Sequence, residues 1–244
     1  MLSIAELTGK AATHVVNDPI TRATVKLQPE VFAAYRAMHA AATEAGLALD
    51  IASGFRDFER QRSIWNRKFN GAAPLYSITG EALDAARLSI GERIEAMMTW
   101  SAVPGTSRHH WGTDLDVFDP RPFADGKRQL ELVPAEYERG GPCHELALWL
   151  YHHAEDFGFF FPYRQYRGGV AAEPWHLSYR ASAEQAHQQL SEEVLRQVLS
   201  DDSIAGHDYL LARVSELKER FIDTLCAPLY GDDSDGGSNP WLFG

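Results

Sequence analysis

"SRHHWGTDLDV", residues 107–117, puts two adjacent histidines, a tryptophan–glycine pair and two aspartates into eleven positions, more coordinating chemistry than a turn and a strand need for folding. Gly112 permits a tight reversal after the histidines, and "TDLDV" then alternates polar and apolar residues as a half-buried strand does. Asp114 and Asp116 share one face, leaving Leu115 and Val117 to enter the core from the other. His109 at the end of a loop and Asp116 on the open face of a strand are therefore candidate metal ligands.

Pro120 ends this strand. A polar, proline-containing connection of about twenty residues follows, longer than compact domains usually carry and a candidate lid. Upstream, residues 28–46 predict a helix with Pro29 in its first turn and Gly46 at its end, 47–55 a strand, 56–69 a helix and 70–80 a loop. A further helix is predicted near 91–100, stopped before Pro104. Downstream, 143–158 predicts a helix ending at Gly158, "EPWHLSYR" (173–180) a strand, and 182–226 two helical blocks separated by "SDDSIAG". Residues 231–244 are turn-rich, and no internal repeat is visible.

The second strand supplies a third candidate. His176 and Ser178 fall on the face opposite Trp175 and Leu177, so His176 has the parity of a ligand. Glu173, three residues earlier, would face the wrong way in a regular strand, but Pro174 breaks the ladder and permits a bend that aims it back. A catalytic zinc site takes three protein ligands at roughly 2.0–2.2 Å and keeps a fourth position for water. His109, Asp116 and His176 fill that requirement, with Glu173 as the candidate general base.

The order Ser107-x-His109-x-x-Gly112-x-x-x-Asp116, then Glu173-x-Trp175-His176, resembles the VanY-type D-alanyl-D-alanine carboxypeptidases from about residue 28 to 180. These are zinc peptidases grouped with lysostaphin-like endopeptidases and the hedgehog signalling domain. "SGFRDFERQ" (53–61) is similar to the family's Ser-Gly-Tyr-Arg-Ser-x-x-x-Gln segment, with Phe55 and Asp57 as replacements. The resemblance implies an α+β fold: a small, mostly antiparallel central sheet carrying a zinc site, flanked by helices. The expected domains are a catalytic domain over 1–181, a helical extension (182–230) packed on it, read from its periodicity, and a turn-rich tail (231–244). Arg56 would stabilise anionic oxygen, and Gln61, Ser107 and Trp175 would join it in holding the peptide. The implied substrate is a peptidoglycan stem peptide or muropeptide ending in D-alanine, cut at an L,D or D,D bond. An endopeptidase, a D-Ala-D-Ala dipeptidase and a zinc-stabilised binding module remain alternatives. Asp114 departs from the family, which commonly has a small residue there; it either adds negative charge near the ion or orients a ligand histidine. His110 is expected to line the cleft or lie on the surface.

The formal net charge of −11, from 23 basic and 34 acidic residues, argues against nucleic acid or an anionic membrane as partner. Cys143 and Cys226 are too few for a disulfide framework and are expected to be small buried apolar residues. No basic stretch leads into a long apolar run near the start and no membrane span is visible, so the expected location is cytoplasmic. Oligomeric state is left open. "HHAED" places His152 and Asp156 on one helical face, a feasible metal spacing, but the favoured reading is the solvated face of an amphipathic helix. "DDSDGG" resembles a calcium loop yet lacks the later glutamate.

Overall fold

The alternating stretch after Gly112 forms a strand buried at every position in the computed structural model, which describes residues 1–18 and 22–227. Four strands make the central sheet: β1 (Asp50–Ser53), β2 (Asp114–Phe118), β3 (Phe159–Phe160) and β4 (His176–Tyr179). Their spatial order is β1-β2-β4-β3, with every pairing antiparallel. In the β2–β4 ladder Asp114 lies opposite Ser178, Leu115 opposite Leu177 and Asp116 opposite His176. Because side chains alternate, this register sends both leucines to one face and the polar residues to the other.

Leu115, Val117 and Leu177 pack beneath α1 (Pro29–Glu44) and α2 (His144–His153), contacting a core that includes Phe32, Met38 and Leu150. Pro29 stands in the first turn of α1, where its missing N–H costs nothing. Gln28, just before it, ties the helix to the reversal at Gly112: its backbone N–H donates to Gly112 O at 2.9 Å and its side-chain amide to Trp111 O at 2.7 Å. Gly112 has φ 67°, and a Cβ there would lie 2.3 Å from Val15 Cγ1, so both conformation and space demand glycine.

A second core gathers Phe58 and Trp65 of the 58–69 helix, Met97 of the Ile90–Trp100 helix, and apolar residues of the C-terminal helices such as Leu195 and Leu210. Asp57 caps the first of these by accepting the Arg60 N–H, and Ser89 with Glu92 forms a capping box on the second. Among the described residues no helix is long and apolar enough to cross a membrane. Both cysteines are free and buried.

Four local expectations need correction. Residues 70–80 are not wholly loop, since Leu75–Tyr76 pairs with Ala82–Leu83; strands of two residues leave no alternation to read. The strand expected over 173–180 is confined to His176–Tyr179, because a turn closed by His176 N–H donating to Glu173 O at 3.1 Å precedes it. The helix at 143–158 is α-helical only to His153 and tightens to a 3-10 turn before Gly158. The two C-terminal blocks are divided further: Ser191 accepts the Val194 N–H and so starts a new helix at Glu192, and the second block breaks near Arg213. The tail at 231–244, with 228–230, lies outside the described residues.

The connection after Pro120 is anchored rather than loose. Tyr137, fully buried, donates its hydroxyl to Val117 O at 2.7 Å, and the Glu136 carboxylate accepts the backbone N–H groups of Glu131 (3.1 Å) and Val133 (3.3 Å). It therefore stands as a fixed wall over the polar face of the sheet.

Candidate metal centre and its cleft

His109 leaves a short 3-10 turn (Arg108–Trp111), Asp116 projects from β2, and His176 opens β4 directly across from it. One donor atom from each lies within 4.8 Å of the others. His109 Nε2 is 3.3 Å from Asp116 Oδ2, and His176 Nδ1 is 3.4 Å from Asp116 Oδ1. The two imidazole centroids are 4.9 Å apart and inclined at 62°.

Hydrogen bonds on the outer side of each ring decide which nitrogen faces inward. His109 Nδ1 lies 2.9 Å from Gly54 O, an acceptor, so Nδ1 carries the proton and Nε2 presents its lone pair to the centre. His176 Nε2 lies 3.0 Å from Asp114 Oδ1, which leaves Nδ1 for the same centre. Asp116 Oδ1 is buried and has no hydrogen-bond partner among the described residues. An orphaned carboxylate oxygen between two inward-facing ring nitrogens is the donor set of a zinc site, so these residues fit that ion.

Burial opposes charge on Asp116, but the adjacent His109 and His176 rings and the Arg56 guanidinium hold its pKa below the ordinary carboxylate range. Burial likewise opposes charge on His176, yet the hydrogen bonds it donates to Asp114 and Glu173, with the nearby Asp116, raise its pKa to about 10, so an ion binding at Nδ1 displaces a proton. Glu173 Oε2 stands 3.0 Å from His176 Nδ1, brought there by the turn through Pro174. Tyr163 meets the His176 ring edge-on at 5.1 Å.

Asp114 belongs to a layer behind the ligands. It accepts from Arg108 Nε at 2.7 Å and from the Thr113 hydroxyl at 2.6 Å, while Arg108 Nη2 donates to Ser178 Oγ at 2.6 Å. Arg108 also lies over the Trp111 ring at 4.8 Å. The extra acid is thus charge-balanced and serves as acceptor for a ligand histidine.

Arg56 sits 3.9 Å from Asp116 Oδ2 and donates to Gln61 Oε1 (2.9 Å) and Ser53 Oγ (3.2 Å). Gln61 is fully buried, and its own amide donates to Ala102 O at 2.6 Å. The expectation that Gln61 touches peptide is therefore corrected: it brackets the arginine from behind. His110 is corrected too, being fully buried rather than cleft-lining. Its Nδ1 lies 2.6 Å from Arg56 O and its Nε2 accepts the Gly105 N–H at 3.0 Å, so it props the Arg56 backbone. Burial pulls its pKa down to about 3.

These groups open into a cleft of about 1010 Å³. Ser107 and Trp175 line it, together with residues 131–135 of the wall and with Tyr76, Trp100 and Phe221. Sequence reasoning did not pick out Tyr163, Arg108 or Lys68, which also line the cleft. For Arg108 a signal existed: an acid as close to the ligands as Asp114 demands a countercharge. "HHAED" stays outside, with His152, His153 and Asp156 exposed and His153 Nδ1 3.4 Å from Asp156 Oδ2.

Residues 24–182 match the family model described as VanY, D-alanyl-D-alanine carboxypeptidase. An uncharacterized protein of Haemophilus influenzae is 38% identical over 126 residues, which cover 51% of this chain and 95% of that protein. A D-alanyl-D-alanine carboxypeptidase of Enterococcus faecalis is 30% identical over 132 residues, covering 53% of this chain and 39% of that protein. Among solved structures, the LD-carboxypeptidase LdcB shares the fold at a TM-score of 0.50 and 19% identity, covering 77% of this chain and 79% of that one. A vancomycin-resistance D,D-pentapeptidase VanY solved with Zn(II) gives a TM-score of 0.48 at 25% identity, covering 75% and 90%. The matched span contains the sheet, both histidines, Asp116, Glu173 and Arg56, and with it this chain belongs to the VanY D-alanyl-D-alanine carboxypeptidase family.

Proposed function

We propose that the protein is a zinc-dependent carboxypeptidase that hydrolyses the terminal D-alanine amide bond, L,D or D,D, of peptidoglycan stem peptides or muropeptides. The observation that carries this reading is the convergence of His109 Nε2, His176 Nδ1 and Asp116 on one point, with the Glu173 carboxylate beside it. Membership of a D-alanyl-D-alanine carboxypeptidase family supplies the substrate class.

His109, Asp116 and His176 would hold the ion. When bound, zinc supplies Lewis acidity, polarising a carbonyl oxygen and acidifying water. Glu173 would take the proton of the attacking water on a carboxylate oxygen and return it to the departing amine nitrogen, a role its closeness to His176 Nδ1 supports. Arg56, aimed by Gln61 and Ser53, presents its guanidinium to the oxygen that becomes negative as the carbonyl carbon turns tetrahedral. Ser107 and Trp175 line the cleft and would hold the peptide. A binding module that merely needs zinc has no use for Glu173 or for a bracketed arginine.

The test combines elemental analysis with product detection. Purified protein is expected to carry one zinc per chain and to release D-alanine from tetrapeptide or pentapeptide stems, read by mass spectrometry. Glu173→Gln should keep the zinc and lose turnover by about 10²–10⁴-fold. Retention of full turnover in that variant would remove Glu173 from the mechanism, and cleavage that yields only internal fragments would replace a carboxypeptidase with an endopeptidase.

A further inference from the structure

Lys68 lies in the last turn of the 58–69 helix and lines the same cleft as the ligand set. Its Nζ donates to Ser101 Oγ at 2.5 Å. Among the described residues no carboxylate is paired with it, although an ammonium offers three donors. The charged groups that act on it most are Glu173, which attracts it, and Arg56, which repels it. Burial lowers its pKa, and the ammonium receives a neutral hydroxyl rather than an anion in exchange for the hydration it gives up. Arg56, by contrast, is already engaged by Gln61, Ser53 and Asp116.

A half-buried cation that lines one cleft with the base and the arginine, with donors to spare, is a ready-made anion site. We propose that Lys68, steadied by Ser101, binds the free C-terminal carboxylate of the peptide and so makes the cleft selective for chain ends. The inference rests on the carboxypeptidase reading and deepens it, naming the group that distinguishes a terminal amide bond from an internal one. An amide bond inside a cross-link would bring no charge to Lys68 and leave its ammonium unpaired. A peptide whose last residue is released brings its carboxylate within one residue of the scissile carbonyl, the neighbourhood that Lys68 shares with Glu173 and Arg56.

The experiment is a binding measurement, independent of turnover. The full chain carrying Glu173→Gln, loaded with zinc, is titrated calorimetrically with D-alanyl-D-alanine as the free acid and as its C-terminal carboxamide. The free acid is expected to bind at least about tenfold more tightly, a preference of the size charge-assisted pairs give. Adding Lys68→Met, which keeps the aliphatic stem, should erase the preference by weakening the acid alone; Lys68→Arg should retain it. Equal binding of acid and amide by the Lys68 protein overturns the proposal, and that comparison needs no substitution at Lys68. A preference that survives in a folded Lys68→Met protein overturns it as well. If the preference behaves as expected while protein with Glu173 intact releases no D-alanine from any stem peptide, the carboxylate anchor stands and the hydrolytic reading falls.

Discussion

Asp114→Ala separates two roles that one carboxylate performs. The side chain is fully buried and pairs with Arg108, itself 6% exposed, through a 2.7 Å hydrogen bond. Two unit charges about 4 Å apart attract by about 4 kcal/mol at an effective dielectric of about 20. Removing one member of a buried pair costs about 3–5 kcal/mol, because the other is left unpaired. Unfolding in urea should therefore show a loss of that order. The second role concerns His176, whose Nε2 proton Asp114 accepts at 3.0 Å, keeping Nδ1 free for the ion. Losing such an acceptor typically lowers metal affinity about 10- to 100-fold, readable by competition with a chromogenic chelator. The double variant Arg108→Leu/Asp114→Ala removes both charges and should recover most of the stability but none of the affinity. Unchanged zinc affinity in both variants would falsify the orienting role, and unchanged stability in Asp114→Ala would show that the buried pair adds nothing net.

Gly112→Ala forces a side chain into a left-handed residue and against Val15, so a destabilisation of at least about 1–3 kcal/mol is expected in chemical denaturation; a neutral result would mean the reversal is not constrained as described. Gln61→Leu should leave zinc content intact while lowering kcat/KM for D-alanine release, because Arg56 loses its bracket; equal effects of Gln61→Leu in an Arg56→Ala background and alone would contradict that route. Glu6, held by hydrogen bonds from Thr13 and Ser3, has its pKa lowered from 4.5 to about 2. With the folded value below the unfolded one, its contribution is complete above about pH 4.5 and fades as the pH falls towards about 2. Melting temperatures across that window should fall less steeply in Glu6→Gln than in the parent, and parallel curves would count against the assignment.

The ligand set was legible because strand alternation is a local property: Asp116 and His176 each had the correct parity before any pairing was known. Pro174 even announced the bend that returns Glu173 to the centre. What escaped notice depends on contacts between distant segments. Gln61 carries the same motif position whether it meets peptide or the back of Arg56, and only packing against Ala102 decides. His110 looked like its neighbour His109, yet successive residues of the short 3-10 turn point in different directions, and burial against Gly105 and the Arg56 backbone fixes it. The Leu75–Tyr76 pairing is too short to leave a periodic trace, with Tyr76 exposed. Ser191 was readable in principle as a cap, since a serine before two glutamates favours a new helix start over a continued one.

The opposition of Asp116 and His176 across the ladder has a consequence for biogenesis. During synthesis His109 and Asp116 leave the ribosome well before His176, so a nascent chain offers at most two of the three donors until the last strand has zipped into place. Cobalt substituted for zinc would acquire its tetrahedral visible absorption only at that step, turning the metal into a clock for the closing of the sheet.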